Sequence, residues 1–322
     1  MENQLYPFVF EPILKHRIWG GGKLATVLGK EIPDNRTGES WELSAVKGDV
    51  SVVSNGALEG TPLDQLIAQF PEELLGKDVY KKFGNQFPLL FKFIDAREDL
   101  SIQVHPNDKL AKERHNSFGK TEMWYVMDAD PGSEIIVGFK PGATPEKYLQ
   151  ALEDKTLPQM LERKKAAAGD VFFLETGTVH AIGAGILLAE IQQTSDITYR
   201  IYDWDRTDEN GKGRELHVDQ ALQAMNYDRV DAVRKYDNAE NSANKIVDCP
   251  YFTTNFIPLG GDYAPKVPKG SFAVYMCVEG SFAIRASEVD YIFTKGDTVL
   301  VPAVLNREKL SGNATLLQVY VS

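Results

Sequence analysis

Residues 169–180 read GDVFFLETGTVH, a glycine turn followed by a short apolar strand and a second glycine turn that ends in His180. Residues 296–307 read GDTVLVPAVLNR, with the same length and rhythm, but end in Arg307. A repeated turn–strand–turn unit predicts two similar β-barrels. Only the first copy keeps a histidine that can bind a metal ion.

The sequence around both copies is also typical of short strands. The segments are rich in β-branched and aromatic residues and are punctuated by Gly, Pro, Asp and Asn. Helical patterns are confined to three places, residues 61–76, 144–154 and 215–226, the first two of which open with Thr-Pro. Many short strands with few helices predict an all-β fold built as a sandwich or barrel.

A polar, weakly patterned stretch at 229–248 separates two strand-rich regions. We therefore predict a catalytic domain at residues 1–240, with some helical segments, and a metal-free domain at residues 241–322. The second domain is expected to cover an edge of the first.

Composition excludes several classes of protein. The formal net charge of −11 argues against nucleic acid and anionic membranes as partners, because both require a basic surface. The sequence has no long apolar run and no signal-peptide pattern at the N-terminus. Its two cysteines, Cys249 and Cys277, form no CxxC motif and are too few for a disulfide scaffold, so we expect a cytoplasmic protein.

Four polar residues are candidates for a metal site. Gln103 and His105 alternate along the segment SIQVHP, so their side chains point to the same face of a strand. Glu122 opens the next strand, and His180 follows a turn that Gly177 permits. Two imidazoles, a carboxylate and an amide oxygen suit a divalent metal with one position left open. Zinc is the first choice, with manganese, iron or cobalt as alternatives.

Trp19 precedes three glycines at 20–22. This glycine run lacks the GxxxxGK[ST] pattern of a phosphate loop. Among the aromatic residues of the chain, we expect Trp19 to line the substrate cleft, whereas the others are expected in the core.

The segments SIQVHP, GKTEMWYV and GTVHAIGAGILLAEIQQTSDITYRIYDWDR together resemble the type I phosphomannose isomerase family, in its short bacterial form without an inserted helical domain. Further support comes from RIWGGGKL, ESWELS, FPLLFKFIDA and RTDENGKGRELHVDQAL, so the resemblance covers most of the chain. The sequence departs from the family pattern at Glu175, where the repeated unit usually has proline. That change affects a turn and no metal ligand.

The resemblance implies a bicupin, with two jelly-roll cupin barrels of which the N-terminal one carries the metal. It implies one zinc ion per chain, held by Gln103, His105, Glu122 and His180. It also implies that Arg200 lies at the catalytic centre and that Lys120 and Lys92 are cations near the substrate.

The function implied is a zinc-dependent aldose–ketose isomerase that interconverts mannose 6-phosphate and fructose 6-phosphate through an enediol or enediolate. Arg200 is too basic to act as the base, so it stabilises the intermediate or binds phosphate. A desolvated Lys120 is a candidate for proton transfer. Asp196 either orients Arg200 or takes part in proton transfer, and the sequence alone does not choose the base. We expect a small phosphosugar as substrate and a monomer or weak homodimer.

Two other functions remain open at this stage. Another sugar-phosphate isomerase fits the same ligands, because only the family resemblance selects mannose 6-phosphate. A non-catalytic sugar-binding bicupin needs the barrels but neither the metal ligands nor Arg200. A cupin dioxygenase is disfavoured, since it expects three histidines and an apolar pocket.

Overall fold

The structure, a computed structural model, describes residues 5–207, 211–286, 288–305 and 309–321. β-Strands are its main elements, and all the sheet pairings are antiparallel. The strands are β1 Ile13–Gly21, β2 Thr37–Leu43, β3 Ala45–Val46, β4 Asp49–Val50, β5 Leu89–Ala96, β6 Ile102–Val104, β7 Glu122–Ala129, β8 Glu134–Phe139, β9 Leu161–Lys165, β10 Val171–Leu174, β11 His180–Ile182, β12 Ile186–Gln193, β13 Tyr199–Tyr202, β14 Val233–Arg234, β15 Asn244–Asp248, β16 Thr253–Tyr263, β17 Ala273–Ala286, β18 Val289–Thr294, β19 Thr298–Val301 and β20 Lys309–Tyr320.

The helices are short and lie mostly between strands. They are α1 Lys23–Thr26, α2 Leu63–Gln69, α3 Pro71–Leu75, α4 Lys77–Phe83, α5 Asp108–His115, α6 Pro145–Glu153 and α7 Val218–Ala224. None of these described helices has the length and apolar character needed to cross a membrane.

The three helical predictions are confirmed in position but differ in extent. Thr144 caps α6 by accepting a hydrogen bond from the Lys147 amide, as its Thr-Pro start predicts. The first predicted helix is split into α2 and α3 at Pro71, whose ring cannot continue a preceding helix. The third begins only at Val218, because the backbone of His217 pairs with that of Arg200 on β13.

The N-terminal barrel is a sandwich of two sheets. A seven-stranded sheet with the order β1-β2-β5-β12-β7-β10-β14 faces a five-stranded sheet with the order β13-β6-β11-β8-β9. Apolar side chains from both sheets meet between them, for example Trp124 and Phe172 from the first and Val137 and Ile182 from the second. This packing fixes the ends of β6, β7 and β11, where the predicted metal ligands lie.

The C-terminal strands form a separate sheet with the order β15-β16-β20-β17-β18, and β19 also pairs with β17. Its inner face has its own apolar cluster, which includes Tyr275, Phe282 and Leu316. The all-β fold with two cupin-type units is therefore confirmed. Arg307, which stands in the second repeat copy at the place of His180, lies outside the described residues.

The repeat seen in the sequence extends to strand order and register. Strands β5-β12-β7-β10 and β16-β20-β17-β19 follow each other in the same antiparallel order. Phe172 and Val299, each three residues after the repeat glycine, occupy equivalent places on β10 and β19. Working across the ladders from these two residues aligns Trp124, Glu190 and Lys92 with Tyr275, Gln318 and Asn255.

The two aligned triads are both buried and hydrogen-bonded. In the first barrel, Glu190 accepts hydrogen bonds from Lys92 Nζ at 3.0 Å and from Trp124 Nε1 at 2.8 Å. In the second, Asn255 Nδ2 donates to Gln318 Oε1 at 2.9 Å, and Gln318 Nε2 donates to the Tyr275 hydroxyl at 3.1 Å. The second barrel thus repeats the arrangement of the first without its charges, as a duplicated unit would.

One apolar cluster is shared by the two barrels. Phe91 and Met123 from the outer face of the seven-stranded sheet pack in the same cluster as Phe252 and Phe272 from the C-terminal strands. Burying this surface stabilises both units together. The stretch at 229–248 contains β14, which pairs with β10, and the whole of β15.

Candidate metal centre and substrate cleft

Strands from both sheets of the first barrel bring the predicted metal ligands together. Gln103 on β6 pairs directly with His180 on β11, and His105 follows β6 just before Pro106. Glu122 is the first residue of β7. The ligand atoms of His105, Glu122 and His180 all lie within 4.8 Å of one another, and all three side chains are buried.

The geometry around Glu122 leaves its carboxylate directed at both imidazoles. Its Oε2 lies 3.6 Å from His105 Nε2, and its Oε1 lies 3.3 Å from His180 Nε2. Glu122 Oε1 has no hydrogen-bond donor within the described part of the chain. A buried carboxylate oxygen without a donor is costly unless a cation occupies the adjacent space.

Both imidazoles are held in the same tautomer by backbone carbonyls. Nδ1 of His105 lies 2.9 Å from the carbonyl of Ile197, and Nδ1 of His180 lies 2.8 Å from that of Thr178. Each Nδ1 therefore carries the proton, which leaves Nε2 free to bind a metal. Burial lowers the pKa of His180 to about 4 and holds that of His105 well below its usual value, so both rings are neutral at pH 7.

Gln103 lies at the edge of this group. Its amide Nε2 is 3.3 Å from His180 Nε2. Rotation of the amide by half a turn places the oxygen at the same point, where it can bind an ion. Gln103 therefore stays a predicted fourth ligand.

Lys120 connects the metal group to a further carboxylate, that of Glu190. Its Nζ lies 3.2 Å from His105 Nε2, is paired with Glu122 and lies 3.9 Å from Glu190. Burial opposes its charge, but Glu122 and Glu190 raise the pKa of Lys120 above its usual value. Burial also raises the pKa of Glu122 to about 7, against the lowering effect of Lys120.

Glu190 was not among the residues predicted from the sequence. Although burial opposes its ionisation, Lys120 and Lys92 lower the pKa of Glu190 to about 2. The sequence did contain a signal, because Lys92 and Glu190 are each the single charged residue within an apolar strand segment, LLFKF and ILLAEI. Buried charges of opposite sign on two such strands are expected to pair.

A cleft of about 390 Å³ lies beside the metal group. Gln103 and Lys120, which contact the metal ligands, line it. It contains every other residue predicted to meet the substrate, namely Trp19, Lys92, Asp196 and Arg200.

The glycine run places Trp19 in this cleft. A Cβ atom at Gly20 would lie 2.5 Å from the backbone of Arg36 and Gly38, and one at Gly21 would lie 2.8 Å from the Asp95 carboxylate. Only glycine permits this close packing of β1 against its neighbours. The Trp19 carbonyl accepts a hydrogen bond from the Arg97 amide at 3.0 Å, which fixes its backbone.

Arg200 and Asp196 lie in the cleft but are not paired with each other. The Arg200 guanidinium donates to Ser101 Oγ at 3.3 Å and to the carbonyl of Glu215 at 3.0 Å. Asp196 is exposed, in the loop before β13. Arg214 also lines the cleft and is paired with Asp203, so this end of the cleft is rich in arginine.

A second buried carboxylate in the cleft, Glu39, was also missed by the sequence analysis. Its Oε1 accepts from Arg17 Nε at 2.8 Å, and its Oε2 accepts from Trp41 Nε1 at 2.6 Å. Although burial opposes ionisation, Lys92 and Arg17 lower the pKa of Glu39. The segment ESWELS gives no signal that this glutamate points inward.

The donor set fits a divalent metal ion. Two neutral imidazoles with free Nε2 atoms, a carboxylate with an unpartnered oxygen and an adjacent amide match the ligands and charge that such an ion requires. A two-unit all-β fold with this group in its first barrel defines a bicupin whose first barrel can hold a metal ion.

Comparison with known proteins supports the assignment to the bicupins. A family model described as phosphomannose isomerase type I, catalytic domain, matches residues 8–169, and one described as mannose-6-phosphate isomerase, cupin domain, matches residues 242–321. The chain belongs to the type I phosphomannose isomerase family, a family of enzymes.

Full-length relatives support this assignment. The chain is 39% identical to the mannose-6-phosphate isomerase ManA of Bacillus subtilis, with 96% of each chain covered. It is 35% identical to a mannose-6-phosphate isomerase of Streptococcus mutans, with 97% of each covered. The crystal structure of a Bacillus subtilis mannose 6-phosphate isomerase superposes with a TM-score of 0.89 at 32% identity, covering 98% of this chain and 100% of that one.

Proposed function

We propose that this chain is a zinc-dependent mannose-6-phosphate isomerase that forms fructose 6-phosphate through an enediol or enediolate. The observation that carries the proposal is the location of the His105–Glu122–His180 group, which contacts buried Lys120, and Lys120 lines a cleft that also holds Arg200. The names of the full-length relatives support the choice of substrate.

Zinc is proposed because two imidazoles and a carboxylate with an open position form a common catalytic zinc set. His105, Glu122 and His180 would hold one ion per chain, with Gln103 as a further ligand. When bound, the ion supplies Lewis-acid polarisation of the sugar oxygens.

Lys120 is proposed to stabilise negative charge on the substrate. Its raised pKa keeps it protonated at neutral pH, so it can donate a hydrogen bond to an oxygen of the enediolate. The same charge makes Lys120 unsuitable as the initial base.

Asp196 is proposed for proton transfer, because the other three acidic residues that line the cleft are already engaged. Asp49 is paired with Lys15. Glu39 is bound by Arg17 and Trp41, and Glu190 is bound by Lys92 and Trp124. No side-chain hydrogen bond or ion pair of Asp196 is found among the described residues. Arg200, whose guanidinium is half-buried, is proposed to bind the phosphate or the enediolate.

A coupled assay with mannose 6-phosphate, before and after chelation and with zinc restored, tests the proposal. We expect isomerisation to be lost on chelation and recovered with zinc. If the metal-loaded protein acts only on another phosphosugar, the proposed substrate is wrong but the proposed chemistry stands. Protein that binds no metal and isomerises no phosphosugar would overturn the enzyme hypothesis and leave a non-catalytic sugar-binding bicupin.

The pH dependence of zinc binding follows from the ligand pKa values. Glu122, with its raised pKa of about 7, binds a proton below that pH, which zinc must displace. The histidines are already neutral above about pH 5, since burial lowers the pKa of His180 to about 4 and that of His105 as well. We therefore expect the affinity to rise about tenfold per pH unit between roughly pH 5 and 7 and then to level off.

Calorimetric titration of the apoprotein with zinc, in buffers of different ionisation enthalpy, measures the protons released. About one proton per ion is expected near pH 6, and almost none at pH 8. Release of two or more protons at pH 6 would contradict the neutral state of the histidines.

We also propose the remaining features as first predicted: a catalytic domain at 1–240, a metal-free cupin domain at 241–322, a cytoplasmic location and a monomer or weak homodimer. Separate apolar clusters within the two barrels support the division of the chain. The unpaired state of Cys249 and Cys277 supports the location.

A further inference from the structure

One side chain of the C-terminal barrel contacts the segment that follows the proposed metal ligand His105. Tyr251 lies in the turn between β15 and β16, and its hydroxyl donates to Asp108 Oδ2 at 2.9 Å. Asp108 is the first residue of α5, three residues after the proposed ligand His105. The contact joins residues that are 143 positions apart in the sequence.

Asp108 in turn holds the backbone that carries Lys120. Its Oδ1 accepts hydrogen bonds from the Gly119 amide at 2.8 Å and from Gln193 Nε2 at 3.0 Å. Gln193 Oε1 accepts from the Thr121 amide at 2.9 Å. The amides on both sides of Lys120 are therefore fixed by one hydrogen-bonded chain that begins at Tyr251.

The close approach of this segment to α5 depends on Gly119. A Cβ atom there would lie 2.8 Å from the Asp108 amide nitrogen and 2.9 Å from the carbonyl carbon of Asn107. Glycine allows the backbone to come within hydrogen-bonding distance of the Asp108 carboxylate. The segment between His105 and Lys120 is thus closed by a hydrogen bond between its two ends, Asp108 and Gly119.

The turn that carries Tyr251 is itself well anchored. The Cys249 amide donates to the Phe252 carbonyl at 3.1 Å, and Phe252 is fully buried in the core shared by the two barrels. Lys82 on α4 donates to the Pro250 carbonyl at 3.0 Å. Burial and the Asp108 carboxylate raise the pKa of Tyr251 to about 12, so its hydroxyl keeps the proton that it donates.

We infer that Tyr251 is a positioning residue of the catalytic barrel, supplied by the metal-free barrel. It acts by fixing Asp108, which with Gln193 sets the position of Lys120 against Glu122. The catalytic part of this inference rests on the proposed function, in which Lys120 stabilises charge on the substrate. The positional part rests on the contacts alone.

The test compares Tyr251→Phe with Tyr236→Phe. Each variant removes one hydroxyl from a half-buried ring, and Tyr236 donates to the Gly169 carbonyl at 2.7 Å, in a different loop of the catalytic barrel. Amide hydrogen exchange is measured in the zinc-loaded proteins, together with kcat and KM for mannose 6-phosphate. Tyr251→Phe is expected to speed exchange at Gly119 and Thr121 about tenfold. We expect kcat to fall about three- to tenfold, with KM changed less than about twofold.

Tyr236→Phe is expected to leave amide exchange at residues 119–121 unchanged and to leave kcat unchanged. A second variant, Asp108→Asn, keeps one acceptor oxygen but loses the acceptor for Tyr251. The double variant is expected to be no slower than Asp108→Asn alone, because both changes break the same chain.

Unchanged exchange at Gly119 and Thr121 in Tyr251→Phe would overturn the inference, as would equal effects of the two tyrosine variants or additive effects in the double variant. If the wild-type protein does not isomerise mannose 6-phosphate, the proposed function fails. The exchange measurement still decides in that case whether Tyr251 fixes the Lys120 segment.

Discussion

Replacing His180 with alanine is expected to lower kcat at least about a thousandfold and to reduce bound zinc to a small fraction of one ion per chain. The loss is large because His180 is fully buried and its Nε2 is directed at Glu122. No other imidazole besides His105 belongs to the metal group of the described residues. Metal analysis after gel filtration, together with the coupled assay, measures both effects.

The matched control is His16→Ala. His16 is exposed on β1 and is not part of the metal group, so zinc content and kcat are expected to remain at wild-type values. Added imidazole can enter the space left in the His180 variant and restore part of both. A His180→Ala protein that keeps a full complement of zinc and normal activity would refute the site.

The second large effect is expected from Lys120→Met, compared with Lys92→Met. The two lysines are similarly buried, and each lies near Glu190, at 3.9 Å and 3.0 Å respectively. Only Lys120 also contacts His105 and Glu122. Each substitution removes one buried positive charge of the same group and puts a side chain of similar length in its place.

We expect Lys120→Met to lower kcat by about 10²- to 10⁴-fold and Lys92→Met by about tenfold or less. Both apoproteins are expected to lose about 3–5 kcal/mol of unfolding free energy, because each leaves a buried carboxylate with one cation fewer. Denaturant titration and steady-state kinetics separate the two quantities. Equal losses of kcat in the two variants would show that both lysines serve only as counter-charges. That result would contradict a direct role of Lys120 on the substrate.

The proposed metal ligands could be predicted from the sequence because their signal is local. Gln103 and His105 lie two residues apart on one strand, and the period of a strand directs both side chains to one face. The repeat around Gly169 and Gly296 likewise gave the two-barrel fold from a pattern of twelve residues. Short-range geometry of this kind needs no knowledge of the tertiary structure.

The residues that were missed depend on contacts between distant strands. Glu190 is meaningful only beside Lys92, which lies 98 positions earlier in the chain, and Glu39 only beside Arg17 and Trp41. The spacing of Asp196 and Arg200 suggested a pair, but four residues in an extended chain span about 13 Å. The side chains accordingly find separate surroundings in the cleft.

The uncharged triad of Asn255, Gln318 and Tyr275 restricts the evolutionary route by which the two barrels diverged. From a charged set such as that of Lys92 and Glu190, loss of the glutamate first would strand two lysines in the interior, at a cost of about 3–5 kcal/mol. That is a large part of the total stability of an ordinary domain, about 5–15 kcal/mol. Loss of a lysine first leaves the buried glutamate with one cation fewer at a similar cost, so descent from the charged set requires either that the lysine and the glutamate were replaced together or that the lineage had stability to spare.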